Sequence, residues 1–538
     1  MKFHPTVVLA LAAVPAAANA NLLRSSSESE VEQSSCNDLT SKDSCYAGVD
    51  GTSGASCAWC VAGAVPNECV SQDQASMLPE DVFECSTPSW FTSTFQFEEG
   101  LNHRLSIKES NIGQDEGFCD PDSKSISGYM DIKGSKYDEN GQNKHLFFWM
   151  FEKRGDFDED TPFIIWLTGG PGCSSTLALL TENGPCSVNK DGKTTTVNPY
   201  SWTETAHVLW LDQPAGVGFS YGEEDDSSEK MVAEDAYYFL QAFFQTYPEY
   251  QSNPFYVVGE SYAGHYVPAI AHHVFEGNNQ PPPNTVPINL AGISIGNGLV
   301  KPEEQYKYYP EMGHNNSHGI PIFDDTTYET MMAIVPKCTA LIHACNQGDS
   351  MIDEFACQSA FMICNVGLTS PYQATGLNPY DIRIPCEKPP LCYDFDHVGS
   401  WLNLPSTKES LGVDPKHSHS WRSCNFGINA KFHSDWMHDF SQYVTVLLDA
   451  GIPALVYAGD VDFICNYMGN RAWTHELEWS GKAEYQAAPE HDWEGSGNAR
   501  TSGGLTFLQV FDAGHMVPAD QPKVALDMIA NFVSGGEF

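Results

Sequence analysis

Short, wholly apolar runs alternate with amphipathic stretches along most of the chain. The runs "HLFFWMFE" (145–152), "PFIIWLTGG" (162–170) and "HVLWLDQP" (207–214) each end at a turn or a charged residue, which is typical of buried strands. The stretch "MVAEDAYYFLQAFFQTYPEY" (231–250) instead spaces its apolar residues as one face of a helix. The pattern therefore predicts strands and helices in alternation.

Four later apolar runs continue this pattern, and each leads into a glycine or an acidic turn: "PFYVVGES", "INLAGISIGNG", "IPALVYAGD" and "LTFLQVFDAGH". Strands that alternate with helices predict a mostly parallel sheet with helices on both faces. The alternation is lost between about 301 and 441, a segment that contains seven cysteines. We therefore expect an α/β fold with a lid inserted at 301–441 over the carboxyl edge of the sheet.

The first twenty residues have the features of a secretory signal peptide. Lys2 is followed by the apolar stretch "TVVLALAAVPAAA" and by the small-residue cleavage site Ala18-Asn19-Ala20. The polar residues 21–35 are predicted to be a flexible linker or a pro-segment. A secretory signal predicts an oxidising compartment, in which disulfides persist. No later run reaches the roughly 18 apolar residues of a membrane span, so we expect no membrane span.

A cysteine-rich module is predicted at 36–85, followed by a linker (86–117) and the main domain (118–538). Its cysteines are Cys36, Cys45, Cys57, Cys60, Cys69 and Cys85. Because this module has no histidine and an even number of cysteines, three disulfides are favoured over a zinc site. It resembles the plexin–semaphorin–integrin (PSI) module, which implies a role in interaction or spacing. A structural cap or pro-region is the alternative.

The chain is strongly acidic, with a formal net charge of −43 over 538 residues. Nucleic-acid binding is excluded on electrostatic grounds, because phosphate contacts need clustered lysines and arginines. The excess charge repels itself less as carboxylates protonate, which fits an acidic working compartment. An acidic protein that is merely soluble fits the charge equally well.

One serine lies where a nucleophile is expected. Ser261 stands between the strand run "FYVV" and the helical stretch "GHYVPAIAHHVFE", although Ala263 replaces the second glycine of G-x-S-x-G. A serine needs a base held by a carboxylate. Asp460 and Asp462 follow one later strand and His515 follows another. The order Ser, Asp, His is that of α/β hydrolases, and either aspartate fits it.

Several motifs together resemble those of the serine carboxypeptidase family. They are "GGPGCSS" (169–175), "NPYSW" (198–202), "LDQPAGVGFSY" (211–221), "GESYAGHYVP" (259–268), "IGNGL" (295–299), "SCNFGIN" (423–429), "YAGDVDFICN" (457–466) and "GHMVPAD" (514–520). The resemblance implies an α/β-hydrolase fold and a catalytic triad of Ser261, Asp462 and His515. It leaves Asp460 with a structural role.

The resemblance also implies the groups that surround the scissile bond. The backbone N–H groups of Gly170 and Tyr262 would form the oxyanion hole, since a Gly-Gly-Pro turn allows close backbone approach. Cys465, as a free thiol, and Met516 would line the pocket for the last side chain of the substrate.

A further set of residues would bind the C-terminal carboxylate of the substrate. The family uses an Asn before the Gly-Gly pair and two glutamates. Thr168 stands at the position of the Asn, and the glutamates correspond to Glu182 and Glu260; Gly169, the first glycine of the pair, is also predicted to bind substrate. Thr168 departs from the family pattern, because a hydroxyl lacks the second donor of an amide. The two glutamates should share one proton, which predicts an acidic preference for peptide substrates.

The resemblance implies four disulfides: Cys173–Cys424, Cys338–Cys364, Cys345–Cys357 and Cys386–Cys392. The pairing of Cys119 and Cys186 stays open, with a bond between them as one option. The sequon at Asn315 is compatible with glycosylation in the lid.

The leading hypothesis is a serine exopeptidase that acts on peptides or proteins with a free C-terminus and needs no cofactor. An acyltransferase on the same scaffold and a non-catalytic protective or binding protein are the alternatives. A metal-dependent carboxypeptidase is disfavoured because the chain has no H-E-x-x-H element. The expected location is the secretory pathway, in a vacuole or lysosome or outside the cell, and the oligomeric state stays open.

Overall fold

The computed structural model describes residues 119–133, 143–348, 351–417 and 419–538, and strands at 57–62, 65–71, 84–86, 91–96 and 102–110. The predicted signal peptide (1–20) and pro-segment (21–35) lie outside the described residues. The chain divides into two compact units, Met1–Pro88 and Ser89–Phe538. No helix among the described residues combines the length and the apolar character needed to cross a membrane.

The first unit contains a small antiparallel sheet in which one strand pairs with two neighbours. Its strands are β1 (Cys57–Ala62), β2 (Val65–Ser71) and β3 (Glu84–Ser86), in the order β2-β1-β3. Cys60 and Cys69 are buried and disulfide-bonded.

The second unit is built on one large sheet and two small hairpins. Its strands are β4 (Phe91–Gln96), β5 (Asn102–Ser110), β6 (Ser125–Lys133), β7 (Asn143–Phe151), β8 (Phe163–Thr168), β9 (Cys186–Val188), β10 (Thr195–Val197), β11 (His207–Leu211), β12 (Tyr221–Gly222), β13 (Phe255–Glu260), β14 (Leu290–Gly296), β15 (Leu377–Asn378), β16 (Asp381–Pro385), β17 (Ala454–Gly459), β18 (His491–Trp493), β19 (Gly497–Ser502) and β20 (Leu505–Val510).

Helices connect these strands and cover both faces of the sheet. They are α1 (Ser175–Thr181), α2 (Glu229–Thr246), α3 (Ala263–Asn279), α4 (Pro302–Gln305), α5 (Tyr309–His314), α6 (Asp325–Cys345), α7 (Met351–Cys364), α8 (Ser370–Gln373), α9 (Asp396–Leu402), α10 (Pro405–Ser410), α11 (Phe426–Lys431), α12 (Ser441–Asp449), α13 (Tyr467–His475), α14 (Lys482–Ala487), α15 (Val517–Asp520) and α16 (Pro522–Val533).

The large sheet is parallel in its centre and antiparallel on both flanks. Its order is β18-β19-β20-β17-β14-β13-β8-β11-β7-β6-β5-β4, with β12 paired to β7. The strands from β20 to β11 in this order run parallel, whereas β7 to β4 and β19 to β18 are antiparallel. The mostly parallel sheet that the apolar runs predict is therefore confirmed for the centre of the sheet.

The central strands are apolar throughout because both of their faces are buried. In β8, Phe163, Ile165 and Leu167 point to the face covered by α2 and α3, while Ile164 and Trp166 point to the face covered by α1 and α16. All five side chains are fully buried. Side chains alternate between faces along a strand, so two cores share one sheet.

The segment predicted to be a linker, 86–117, instead contains two strands of the large sheet. Strands β4 and β5 pair with each other, and β5 continues the sheet by pairing with β6. The linker prediction is wrong because it rests on continuous apolar runs. "FTSTFQF" and "HRLSIKES" alternate in polarity, which is the pattern of antiparallel strands.

The segment between β14 and β17, which includes the predicted lid, is mainly helical. Its hairpin β15–β16 lies against the turns that follow the central strands. The Tyr380 carbonyl accepts the His515 N–H at 2.8 Å, and the Ile382 N–H donates to the Val461 carbonyl at 3.0 Å. These bonds hold the segment over the carboxyl ends of β17 and β20.

Disulfides fasten this segment both internally and to the sheet. The structure contains Cys119–Cys186, Cys173–Cys424, Cys338–Cys364, Cys345–Cys357 and Cys386–Cys392. The nested pair Cys338–Cys364 and Cys345–Cys357 joins helices α6 and α7. Cys173–Cys424 ties the "GGPGCSS" loop to the segment that contains α11.

The acidic stretch "GEEDDSSEK" (222–230) has the charge that is typical of a solvated loop. In the structure, part of this stretch is buried. The ammonium group of Lys144 is fully buried and lies 2.8 Å from Asp225, 2.7 Å from Asp226 and 2.8 Å from Asp235. Asp226 and Glu229 are each 1% exposed. A buried ammonium needs compensating carboxylates, and the surrounding aspartates raise the pKa of Lys144 far above its usual value.

Candidate active site

Ser261 lies in the tight turn between β13 and α3. Its φ of +69° is a strained conformation for a residue with a side chain. The Ser261 N–H donates to the Gly296 carbonyl at 3.0 Å, and its carbonyl accepts the N–H groups of Gly264 and Leu299 at 3.0 Å. These three bonds hold the turn in place, so the serine side chain is fixed at the edge of the sheet.

Glycine is required beside this turn, although not at the position of Ala263. A Cβ atom added at Gly264 would lie 2.4 Å from the Leu299 carbonyl oxygen. Ala263 begins the helix and is fully buried. The departure from G-x-S-x-G is therefore compatible with the turn.

His515 and Asp462 form a buried hydrogen-bonded pair at the ends of β20 and β17. His515 Nδ1 lies 2.8 Å from Asp462 Oδ2, and their side chains are 5% and 0% exposed. The ring of Tyr380 packs on the imidazole at 5.0 Å between centroids. Ser261 and His515, both of which the structure describes, line one cavity without a hydrogen bond between their side chains. In the absence of substrate, the contact between a catalytic serine and its histidine is often long, and it tightens into a hydrogen bond when substrate binds.

Three donors besides His515 hold the Asp462 carboxylate. Asn297 Nδ2 donates to Oδ2 at 2.8 Å, while the N–H groups of Ile464 and Cys465 donate to Oδ1 and Oδ2 at 3.1 and 3.2 Å. Asn297 is a site residue that sequence reasoning missed. Its signal was present in "IGNGL", because its φ of +40° requires a residue that tolerates the left-handed region.

Asp460 makes a different set of contacts. Its Oδ1 accepts the N–H of Asp512 at 2.9 Å, and its Oδ2 lies 3.0 Å from His318 Nε2. These contacts join the ends of β17 and β20 to the segment before α6. Asp460 makes no hydrogen bond to His515, although both residues are described.

The "GGPG" loop passes directly beside the residue that follows Ser261. A Cβ atom added at Gly169 would lie 2.3 Å from the backbone nitrogen of Tyr262. Gly170 has a φ of +113°, and its carbonyl accepts Asn429 Nδ2 at 3.1 Å. Only glycine permits this approach, and Asn429, which sequence reasoning missed, anchors the loop.

Glu182 and Glu260 form a buried carboxyl pair at the base of the cavity. They are 7% and 3% exposed, and each has one oxygen without a hydrogen-bond partner among the described residues. Burial raises the pKa of Glu182 to about 7. Burial, followed by the charge of Glu182, raises the pKa of Glu260 well above its usual value. The pair therefore holds a proton near neutral pH.

The cavity contains most of the predicted substrate-binding residues. Its lining is formed by Thr168, Gly169, Gly170, Cys173, Leu177, Glu182, Glu260, Ser261, Tyr380, Leu391, Tyr393, Phe395, Cys424, His515 and Met516. Trp166 Nε1 donates to the Thr168 hydroxyl at 3.0 Å. The hydroxyl hydrogen is thus left to donate to a ligand. The aromatic wall of Tyr380, Tyr393 and Phe395 had no distinctive sequence signal.

Cys465 is a buried free thiol that does not line this cavity. Its place beside Met516 in the pocket for the last side chain of the substrate stays a prediction. The turn after β17 places the thiol near Tyr306, Tyr309 and the cavity residue Tyr380, and the Cys465 N–H donates to Asp462. Burial raises the pKa of this thiol well above its usual value, with Asp462 adding to the effect. The thiol is therefore not a nucleophile in the folded protein.

Comparisons with known proteins agree with this geometry. The serine carboxypeptidase family matches residues 116–535. Carboxypeptidase Y from Candida albicans is 41% identical over 443 residues, which cover 81% of this chain and 77% of the relative. Carboxypeptidase Y from Komagataella phaffii is 38% identical over 473 residues, which cover 87% and 86%.

A solved structure shares the fold as well. The crystal structure of a prohormone-processing carboxypeptidase from Saccharomyces cerevisiae matches with a TM-score of 0.68 at 27% identity, covering 77% of this chain and 92% of the other. The family match spans the sheet from β6 to β20 and every residue that lines the cavity. This chain therefore belongs to the serine carboxypeptidase family.

Proposed function

We propose that the protein is a serine exopeptidase that releases C-terminal amino acids from peptides and proteins through an acyl-enzyme intermediate. The observation that carries this proposal is one cavity that contains Ser261, His515 and the buried pair Glu182 and Glu260. A nucleophile beside a pair of groups that binds the C-terminal carboxylate of the substrate restricts cleavage to the last peptide bond. An endopeptidase has no use for such a pair.

In the first step, the Ser261 hydroxyl attacks the last peptide carbonyl while His515 accepts its proton. Asp462 holds the imidazole with Nδ1 protonated and balances the charge of the imidazolium. The oxygen of the tetrahedral intermediate binds the N–H groups of Gly170 and Tyr262. His515 then donates its proton to the leaving amine, so the C–N bond breaks and a free amino acid departs.

In the second step, water replaces the departed amino acid. His515 accepts a proton from the water, whose oxygen attacks the ester carbonyl of acyl-Ser261. Collapse of the intermediate breaks the ester bond and returns the proton to the serine oxygen. The shortened peptide leaves with a new carboxylate, and the enzyme is unchanged.

The buried glutamates supply selectivity for a free C-terminus and for acidic pH. When one proton is present, Glu182 and Glu260 donate a hydrogen bond to the substrate carboxylate. When both are ionised, they repel it. Thr168 offers one further donor at the same end of the cavity.

We also infer that the protein works in the secretory pathway, in a vacuole or lysosome or outside the cell. One relative, 42% identical over 424 residues that cover 77% of this chain and 79% of its own length, is named a vacuolar serine-type carboxypeptidase of Saccharomyces cerevisiae. This relative and the two carboxypeptidases Y are all peptidases by name, so an acyltransferase or a non-catalytic protein is not favoured.

The decisive experiment compares wild type with Ser261→Ala on a blocked dipeptide and on its C-terminal amide. We expect wild type to release the free C-terminal amino acid and a phenylmethylsulfonyl-type inhibitor to abolish this release. Ser261→Ala should lose activity by about 10⁴-fold or more while melting as wild type does. Retention of activity within tenfold would rule out the nucleophile.

A further inference from the structure

A second buried carboxyl pair lies behind the oxyanion hole. Asp435, in the short turn Asp435–Met437 before α12, accepts a hydrogen bond from the Tyr262 hydroxyl at 3.2 Å. The backbone N–H of Glu229, the first residue of α2, donates to the same carboxyl group. Asp435, Tyr262 and Glu229 are 8%, 2% and 1% exposed. Neither acid takes part in the acyl transfer itself.

Glu229 has the surroundings of a protonated carboxyl group. Neither of its oxygens has a hydrogen-bond partner among the described residues. An ionised carboxylate left in this state would be costly. Burial, followed by the charges of Asp435 and Asp226, raises the pKa of Glu229 well above its usual value. Burial also raises the pKa of Asp435 to about 7.

The other charged groups near the pair do not neutralise both acids. Asp226 is already paired with Lys144 at 2.7 Å. On the solvent side, the exposed Lys230 attracts Asp435 through its charge.

The groups from helix α3 leave the pair without a compensating charge. Tyr266 contributes a neutral hydroxyl, because burial raises its pKa well above the usual value. Burial lowers the pKa of His265, whose ring stacks on Tyr262 at 4.5 Å, to about 3, so this imidazole is neutral too. His438, on the chain after the turn, faces His265.

Tyr262 connects this pair to the chemistry. Its backbone N–H is the oxyanion donor next to Ser261, and its side chain reaches from the nucleophile turn to Asp435. The ring also packs against Trp436 at 5.2 Å, in the same turn as Asp435. Movement of that turn therefore acts directly on the residue that carries an oxyanion donor.

We propose that Asp435 is a positioning residue that fixes Tyr262 in the oxyanion hole, and that it does so only while Asp435 and Glu229 share one proton. Loss of that proton leaves two buried anions on different elements, the start of α2 and the turn Asp435–Met437. Their repulsion moves the turn and frees the Tyr262 side chain. This proposal rests on the proposed function, because the oxyanion hole matters only to an acyl-transfer enzyme.

The experiment measures kcat between pH 5.5 and 8.5 on an ester or C-terminal amide substrate. Such a substrate has no terminal carboxylate, so Glu182 and Glu260 do not contribute to the profile. We expect wild-type kcat to fall about tenfold on the alkaline side, less than complete loss of an oxyanion donor costs. Glu229→Gln should remove this fall, because Asp435 then ionises without a neighbouring anion.

Three further variants separate positioning from a structural effect. Asp435→Asn still accepts the Tyr262 hydrogen bond, so it should keep acid-side kcat and lose the alkaline fall. Tyr262→Phe should lower kcat at every pH with little change in KM. The matched control is Glu234→Gln, a buried carboxyl on the same helix that faces Tyr238 instead; it should keep the wild-type profile. An alkaline fall that persists in Glu229→Gln would overturn the proposal.

Thermal melting tests the shared proton without reference to activity. Raised carboxyl pKa values stabilise the fold below neutral pH, and this stabilisation is lost as pH rises through them. Wild type should therefore lose more melting temperature than Glu229→Gln between pH 5.5 and 8. An equal loss in the two proteins would overturn the shared proton. If wild type cleaved neither peptide nor ester, the proposed function would fail, while this comparison would still decide the shared proton.

Discussion

At the scale of single residues, two aspartates two positions apart have different surroundings. Asp462 holds His515, whereas Asp460 holds the N–H of Asp512 and the side chain of His318. Both follow the same strand, so spacing alone leaves either as the triad member. The separation of their roles comes from the direction in which the turn after β17 points each side chain.

Replacing Asp462 with Asn should lower kcat by about 10⁴-fold, because the amide favours the wrong tautomer of His515. Replacing Asp460 with Asn should leave kcat within a few-fold and lower the free energy of unfolding by about 1 kcal/mol. Steady-state kinetics and urea unfolding on the two variants check this. The opposite pattern would exchange the two roles.

The carboxyl pair in the cavity predicts how KM depends on pH. Because burial raises the pKa of Glu182 to about 7, and that of Glu260 is raised further by its neighbour, the pair keeps a proton in acid and loses it above neutral pH. KM for a peptide should therefore climb as pH rises above neutral. KM for the C-terminal amide should stay level, and parallel profiles would contradict the role of the pair.

At the scale of elements, the turn between β13 and α3 depends on the packing of Gly264. Replacing Gly264 with Ala places a methyl group against the Leu299 carbonyl, so the turn must shift. We expect stability to fall by about 1–3 kcal/mol and kcat by at least tenfold. Ala263→Gly is the matched control and should cost at most about 1 kcal/mol with activity retained. If Gly264→Ala and Ala263→Gly changed the melting temperature and kcat equally, the packing of Gly264 would not be what holds the turn.

The same scale shows why the sequence predicts some elements and not others. Strands such as β8, buried on both faces, are continuous apolar runs that stand out from their surroundings. Strands β4 and β5 alternate in polarity, and such a pattern is easily mistaken for a linker. Ser261 and His515 each follow a strand and could be predicted from their order in the chain, whereas the choice of Asp462 over Asp460 comes from the family resemblance.

The pairing of Glu229 with Asp435 had no sequence signal. It joins two distant segments that only the folded lid brings together, and no periodicity records such a contact. The acidic stretch 222–230 resembles a solvated loop for the same reason, since Lys144 lies far away in the chain.

At the scale of the whole molecule, the net charge of −43 and the buried carboxyl groups act in the same direction. Burial raises the pKa of Asp212 to about 6 and those of Glu182 and Asp435 to about 7. Their usual values are near 4, so each stabilises the fold most in acid and loses that contribution between about pH 4 and 7 as pH rises.

Stability should therefore rise as the solution is acidified from pH 8 to pH 5. Salt separates the two causes, because about 0.5 M salt screens surface repulsion but not buried groups. Melting temperatures in high and low salt at both pH values measure this. We expect most of the pH dependence to persist in high salt, and its disappearance would assign the effect to the surface instead.

The buried thiol of Cys465 has a consequence for reversibility. In the folded chain the sulfur is shielded and protonated, so it cannot exchange with the disulfides. Once the chain opens, the thiol returns to an ordinary pKa and becomes a thiolate that attacks neighbouring sulfur–sulfur bonds above neutral pH. An unfolded molecule in acid retains its correct cross-links and can refold, whereas one in alkali scrambles them. An acidic compartment thus preserves the protein after damage as well as before it.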